Sequence, residues 1–524
     1  MFSDRSNKLT SSIASASVIL TAIGFLSKGI GFLREIIYAK NFGLSSEFDL
    51  FLSSAAIPIV INTAIIYLCQ HYFIPAYNKI KKEGNEENQD LKGEEFFNFS
   101  FYWFLIGGII FSLLLFVFSK YIMDFYLSSL SFDLQQKGYK IFLIFLITIP
   151  INSGMSILTS YMQANFNFIY PALSQILLNS IIIILVLFFT NLFQIFIIPV
   201  SFVTAYIICF LVLIKPVRKK IIFRVSHIFN VRYRLSQINI LVSLIFIEGL
   251  SLSYILIDRY FIGKIPEGGI AALGYALVIF SLPVSLFSIP LITTMFSKFS
   301  YSVSNAPEHL QTDFRNALGI NIFIIIPIVY ILFFKGDFFL HIFYERGKFS
   351  AYDTILTHNA LKFYTISLVF YSTYLIVVKL LYSIDKYSLV LKISILAFIL
   401  KILFNFILVN DLKQNGLALS TSFIYFFLFF TAFYFGTKKI ISKGKYFHLN
   451  KIIYFFISGV VSYFISELIV EILGCKGLIS DAVFIVNFLI IYSLNSFIIN
   501  DMELNIIRRT LLGIFLRRNK LDQT

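Results

Sequence analysis

Residues 27-SKGIGFLREIIYAKNFG-43 put Lys28, Arg34, Glu35 and Lys40 into a segment that otherwise reads as a membrane helix. A lipid-facing helix does not carry such a set, because each charge at mid-bilayer costs about 2.5–3.5 kcal/mol on an insertion scale. The stretch therefore calls for a bundle with a polar interior. Lys28 and Arg34 are six residues apart, on a broad common side of one helix rather than in register. Gly24, Gly29 and Gly31 permit bending and close helix contact.

The remainder of the chain supplies that bundle. Its 524 residues are 58% hydrophobic and 14% charged, with a mean hydropathy of +0.84. That is too little charge to coat soluble domains of this length. Apolar runs follow one another, each near the ~20 residues a span requires. The ~10-residue alternation of a barrel is absent. The expectation is an all-α polytopic membrane protein with about fourteen spans. They fall near 11–38, 48–76, 97–119, 139–162, 170–190, 194–214, 236–262, 270–297, 315–334, 357–384, 387–409, 415–436, 452–473 and 479–499. Residues 335–356 form a longer connection. Cys69, Cys209 and Cys475 are far apart and form no metal or redox spacing. The first apolar segment is long and lacks a small-residue cleavage site, so it reads as a span rather than a signal peptide.

The net charge of +15 would suggest nucleic acid in a soluble protein. Here the cations sit in short loops between apolar runs, so no nucleic-acid partner is expected. The 215–235 loop holds Lys215, Arg218, Lys219, Lys220, Arg224, Arg232 and Arg234 without an acid. The 437–451 loop holds Lys438, Lys439, Lys443, Lys445 and Lys451. The 500–524 tail carries Arg508, Arg509, Arg517, Arg518 and Lys520. The positive-inside rule makes this side cytoplasmic, with both termini inside. The opposite loops carry Lys264 or Lys413 and little else, except for Lys335, Arg346 and Lys348 in 335–356.

A faint repeat runs through the chain. Arg34, Gly43 and Pro58 recur as Arg259, Gly268 and Pro283, each 225 residues later. They mark the first two spans of two six-span halves, a common transporter plan with the substrate between the halves. The expected domains are an N-lobe, 1–214, the basic loop, 215–235, and a C-lobe, 236–436. A helix pair, 452–499, and the tail, 500–524, complete the chain.

Two readings compete for the opening charges. Arg34 pairs with Glu35 or Asp49 and snorkels at the outer interface, or Lys28 and Arg34 line a cationic cavity. Lys40 fits the interface. Buried charge within a bundle usually marks a substrate or ion path. A cationic cavity wants an anion, for which Arg offers a planar fork and Lys a mobile point charge. Glu248, Asp258 and Arg259 around span seven are further cavity or coupling candidates, equally suited to structural pairing, as are Lys379, Lys392 and Lys401. Asn405 with Ser420 or Thr421 offers oxygens for a monovalent coupling cation, though such groups also serve helix packing. No GxSxG, HExxH or Walker motif is present, so neither an enzyme, a metal site nor a cofactor is expected. Without a nucleotide domain, energy must come from an ion gradient, the membrane potential or consumption of product.

The stretch 27–43, with Asp49-Leu50-Phe51 and Ile57-Pro58, resembles the opening of the MurJ (MviN) lipid II flippases. That family belongs to the superfamily that includes polysaccharide exporters and drug antiporters. Two further blocks carry the resemblance. One is 274-GYALVIFSLPVSLFSIPLITTMFSKFS-300. The other is 343-FYERGKFSAYDTILTHNAL-361, continuing into 375-LIVVKLLYSIDK-386. The similarity runs from residue 10 to residue 440. It implies two lobes around a cationic cavity, with the polyprenyl tail riding along the last two spans. It makes Lys28 and Arg34 cavity cations and Asp49 a gate acid, all three substrate-binding. The chain departs from the family where second-span arginines are replaced by Asn62 and Thr63, and where Val278 and Ser281 replace an arginine and an acid.

The resulting expectation is a bacterial inner-membrane flippase. It moves a lipid II-like polyprenyl-diphosphate saccharide, a peptidoglycan precursor, by alternating access among membrane lipids. The alternative is an exopolysaccharide or O-antigen repeat exporter. A drug–cation antiporter conflicts with Lys28 and Arg34, which would repel its substrate. A non-transporting scaffold has no use for buried charge.

Overall fold

The computed structural model describes residues 13–82, 89–222, 238–437 and 449–498, all helix and short connection. The basic residues 223–234, 438–448 and 500–524 lie outside the described residues. Among the described residues, nine helical stretches are long and apolar enough to cross a membrane, and the bent pair 351–383 adds a tenth. Two of the nine, Ile169–Val217 and Tyr387–Gly436, run 49 and 50 residues, about twice what one span needs. Each breaks at a residue with positive φ, Gln194 (49°) and Lys413 (52°), so each is a pair of spans. With Ile13–Phe42 and Ile238–Tyr260, the helices match the fourteen expected spans. The all-α membrane architecture is as the composition requires.

The chain divides into two compact units, Met1–Ala271 with Arg346–Ser350, and Ala272–Glu345 with Ala351–Thr524. This division does not follow the lobe boundaries read from the sequence. Helix α10 (Ile238–Tyr260) belongs to the first unit, where it packs on α2 (Ser46–Ser54) and α3 (Ala56–Leu68).

In the first unit, α1 (Ile13–Phe42) lies against α8 (Ile169–Phe193), which pairs with α9 (Ile197–Val217). Helix α7 (Thr148–Ala164) sits among α3, α9 and α5 (Gln89–Tyr126). Asn62 is buried there. Its side-chain amide donates to Thr148 Oγ1 (2.7 Å), and its backbone carbonyl accepts from Asn152 Nδ2 (3.0 Å). The first residues of the 215–235 loop are held by Asn98, which donates to Lys220 O (2.9 Å) and accepts from Ile222 N (2.8 Å).

In the second unit, α13 (Pro307–Phe343) is central. It packs on α14 (Ala351–Thr365), α15 (Leu368–Ser383) and the terminal pair α17 (Leu449–Leu473) and α18 (Leu478–Ile498). Tyr330, Ile326 and Ile322 of α13 form one apolar cluster with Phe455, Phe484 and Phe488. Lys335 anchors its C-terminal part, bonding to Glu467 of α17 (3.3 Å) and Asp481 of α18 (3.1 Å), with Phe484 beneath its ammonium. At the end of α13, Thr354 and His341 hydrogen-bond Glu345. Partial burial works against ionisation of Glu345, but these bonds prevail and hold its carboxyl below the ordinary value.

Candidate functional site

Arg34 lies three-quarters of the way along α1, on the face turned to α8 and α9. Gly31, one turn earlier on the same side, also faces α8: an added Cβ would lie in ordinary contact, 3.8 Å, with Asn179 Nδ2. The guanidinium donates from Nε (3.1 Å) and Nη2 (2.6 Å) to Glu35 Oε1, and from Nη1 to Asn179 Oδ1 (2.9 Å). Asn179 in turn donates to Gln175 O (3.1 Å), which fixes its carbonyl toward Arg34. The Tyr38 and Phe202 rings flank the cation at 5.7 and 5.6 Å. The side chain stays 23% exposed. Three of the five N–H donors of an arginine are thus engaged.

Arg34 does pair with Glu35, as the interface reading expects. It does so on a rigid platform, with Asn179 from another helix and two rings, rather than on a free side chain reaching for water. Lys28 is exposed on the same helix, about 9 Å along its axis. Lys40 is exposed as well.

Asp49 has a different setting. It is 3% exposed, and its carboxylate accepts from Gly268 N (2.7 Å) and Ala271 N (2.6 Å). These amides open helix α11 (Gly269–Pro283), where a negative charge meets the positive end of the helix dipole. Arg259, buried, donates Nη1 to Ile270 O in the same turn (2.7 Å). Ser46 N donates to Glu267 (3.1 Å). Asp49 and Arg259 therefore lock a turn together. Asp258 and Glu248 are half-buried on α10.

The turn is locked again by backbone packing. Gly43, Gly268 and Gly347 have φ of +56°, +80° and +63°, a region that costs other L-residues about 1–2 kcal/mol. A Cβ on Gly43 would sit 2.5 Å from Lys348 O, one on Gly268 2.5 Å from Leu44 O, and one on Gly347 2.4 Å from Lys40 O. Lys348 N donates to Lys40 O (2.9 Å). So the segment 346-RGKFS-350 is clasped by 40-KNFGL-44. The repeated pair Gly43 and Gly268 shares the left-handed conformation and meets in one node.

Elsewhere, Asn405 and Ser420 are fully buried on α16 (Tyr387–Thr437). Thr421 beside them is bonded to the ammonium of Lys401 (2.7 Å). Sequence reasoning missed Asn179, since a lone Asn in an apolar helix reads as packing. It also missed the Lys335 clamp. The signal for that clamp was Glu467 and Asp481, acids at the ends of two otherwise apolar runs that need a cation.

A sequence model described as "Lipid II flippase MurJ" matches residues 38–493. The probable lipid II flippase MurJ of Buchnera aphidicola subsp. Schizaphis graminum is 29% identical over 456 residues, covering 82% of this chain and 83% of the relative. That of Borreliella burgdorferi is 27% identical over 429 residues, covering 80% and 82%. A solved lipid II flippase MurJ in an inward closed conformation shares the fold, with a TM-score of 0.78 at 20% identity. It covers 94% of this chain and all of its own. An inward-facing MATE-family multidrug transporter aligns at 0.64 and 12% identity over 79% of this chain and 94% of its own.

Proposed function

The chain belongs to the lipid II flippase MurJ family, and we propose from that membership that it carries a polyprenyl-diphosphate saccharide of the lipid II class outward across the bacterial inner membrane. The observation that bears this reading is Arg34. A cation in a membrane helix, braced by Asn179 and Glu35, keeps N–H donors for the oxygens of a diphosphate. Lys28, exposed on the same helix, is the second cation of the capture site. Asp49 and Arg259 act at one remove from substrate, by holding the turn at the head of α11. The protein works as a transporter, in which lobes of residues 1–214 and 236–436 alternate access without a covalent step.

Rescue of a strain depleted of its lipid II flippase tests the assignment. Expression of this chain should restore growth and lipid II translocation. A correctly inserted chain that restores neither would exclude lipid II and leave the repeat-unit exporter reading. In vesicles, transport should proceed without ATP and respond to the membrane potential, which supplies about 2.3 kcal/mol per charge per 100 mV. ATP dependence together with indifference to ionophores would refute that coupling.

Orientation follows from the basic loops. Reporter fusions at positions 225, 445 and 520 should read cytoplasmic, and one near 350 periplasmic. An external signal from 225 would overturn the layout.

A further inference from the structure

Lys401 is the least expected side chain in the second unit. It is fully buried, 0% exposed, on a helix that spans the membrane. Helix α16 reverses at Lys413, so its second arm returns past the first. That reversal brings Leu417 and Thr421 to Lys401. Its Nζ donates to Thr421 Oγ1 (2.7 Å) and Leu417 O (3.2 Å), and Thr421 Oγ1 donates to the same carbonyl (3.1 Å). Asn405 lies one turn beyond Lys401 on the same face, also 0% exposed. A helix carbonyl and a threonine hydroxyl in a buried interior are oxygens of the kind that replace the hydration shell of an alkali cation. Here the chain's own ammonium takes both.

We propose that Lys401 is a tethered stand-in for a coupling cation: its ammonium fills an alkali-ion site built by the Leu417 carbonyl and the Thr421 hydroxyl, so the transport cycle binds and releases no sodium or potassium there. This rests on the transport reading above and deepens it. A charge fixed to the protein cannot be exchanged with either side of the membrane. The cycle therefore gains nothing from a sodium gradient, and the oxygen set keeps one occupancy throughout.

Cation binding by the purified protein tests the idea without requiring transport. The probes are sodium and potassium chloride against choline chloride at equal ionic strength, read by thermal unfolding and by retention of radioactive sodium. The unmodified chain should show no stabilisation specific to either ion and no saturable sodium retention. Lys401→Asn, which removes the ammonium and adds an oxygen, should gain both, its unfolding midpoint rising by several degrees with sodium or potassium. Lys401→Met, which fills the space with an apolar stem, should gain neither. Saturable sodium binding by the unmodified chain would overturn the proposal. So would a folded Lys401→Asn that binds no alkali ion. If Lys401→Asn does not fold, the unmodified chain in proteoliposomes decides. Replacing sodium and potassium by choline should leave its rate within about twofold, and a tenfold fall would overturn the proposal. Loss of lipid transport under every salt, with the cation-binding results as expected, would count against the flippase reading alone.

Discussion

An Arg34→Ala protein is expected to reach the membrane at full length and to transport about ten- to a hundredfold more slowly. A hydrogen bond to a charged group contributes about 1.5–3 kcal/mol. Each ~1.4 kcal/mol is tenfold in capture, so losing the guanidinium lowers capture by about one to two orders of magnitude. The same change strips Glu35 of its cation and leaves the Asn179 carbonyl facing an empty space. Arg34→Lys should recover only part of the activity. An ammonium cannot bond Glu35 and Asn179 in the planar fork geometry and still present donors to a diphosphate. Translocation of a labelled lipid in proteoliposomes, alongside quantified insertion, is the measurement. A normal rate for inserted Arg34→Ala would show that this cation only decorates the interface.

Gly43→Ala and Gly347→Ala should each disable the protein, and more severely than an alanine in a glycine-rich helix leads one to expect. Each places a Cβ within 2.5 Å of a backbone carbonyl, Lys348 O for Gly43 and Lys40 O for Gly347. Backbone atoms cannot swing aside as a side-chain tip would. Each also forces an L-residue into the left-handed region, at about 1–2 kcal/mol. The clasp between 40–44 and 346–350 should open, seen as new proteolytic cleavage near residue 347 and a lowered unfolding midpoint. Gly107→Ala is the control. Nothing lies within 4 Å of its Cβ position in α5, and alanine is about 1 kcal/mol better than glycine in a helix. If Gly43→Ala and Gly347→Ala behave like Gly107→Ala, the clasp does not hold the outer turn.

What could be read from the sequence follows from what has a local signature. Apolar runs of span length gave the all-α bundle, including the two-span stretches around Gln194 and Lys413. Arg34 stood out because a charge in an apolar run needs a reason. Its partner Asn179 did not, since an uncharged amide 145 positions away leaves no pattern. Asp49 was noticed as an acid at the head of a span, but its acceptor role was hidden. The amides it binds, 219 and 222 positions on, are backbone groups that every residue carries. The sequence offered Asn405 with Ser420 or Thr421 as oxygens for a cation, and Thr421 turns out to accept from an ammonium. The ammonium of Lys401 among them becomes visible only once the reversal at Lys413 is known. The compact units part at residues 271 and 272 because α10 packs on α2 and α3, a contact that lobe counting from hydropathy does not foresee.

The clasp also sets a timetable for synthesis. The turn at Gly43 is completed by Lys348, about 300 residues downstream, so at roughly 5–20 residues per second the ribosome needs about 15–60 s to deliver its partner. Throughout that interval the first hairpin is in the membrane with the Lys40 carbonyl and the Gly43 turn still waiting for their backbone neighbour. The amides that engage Asp49 arrive earlier, with residues 268–271. Maturation of this node is therefore ordered, with Asp49 engaged first and the 346–350 segment closing last. A nascent chain arrested before residue 346 carries the node half built.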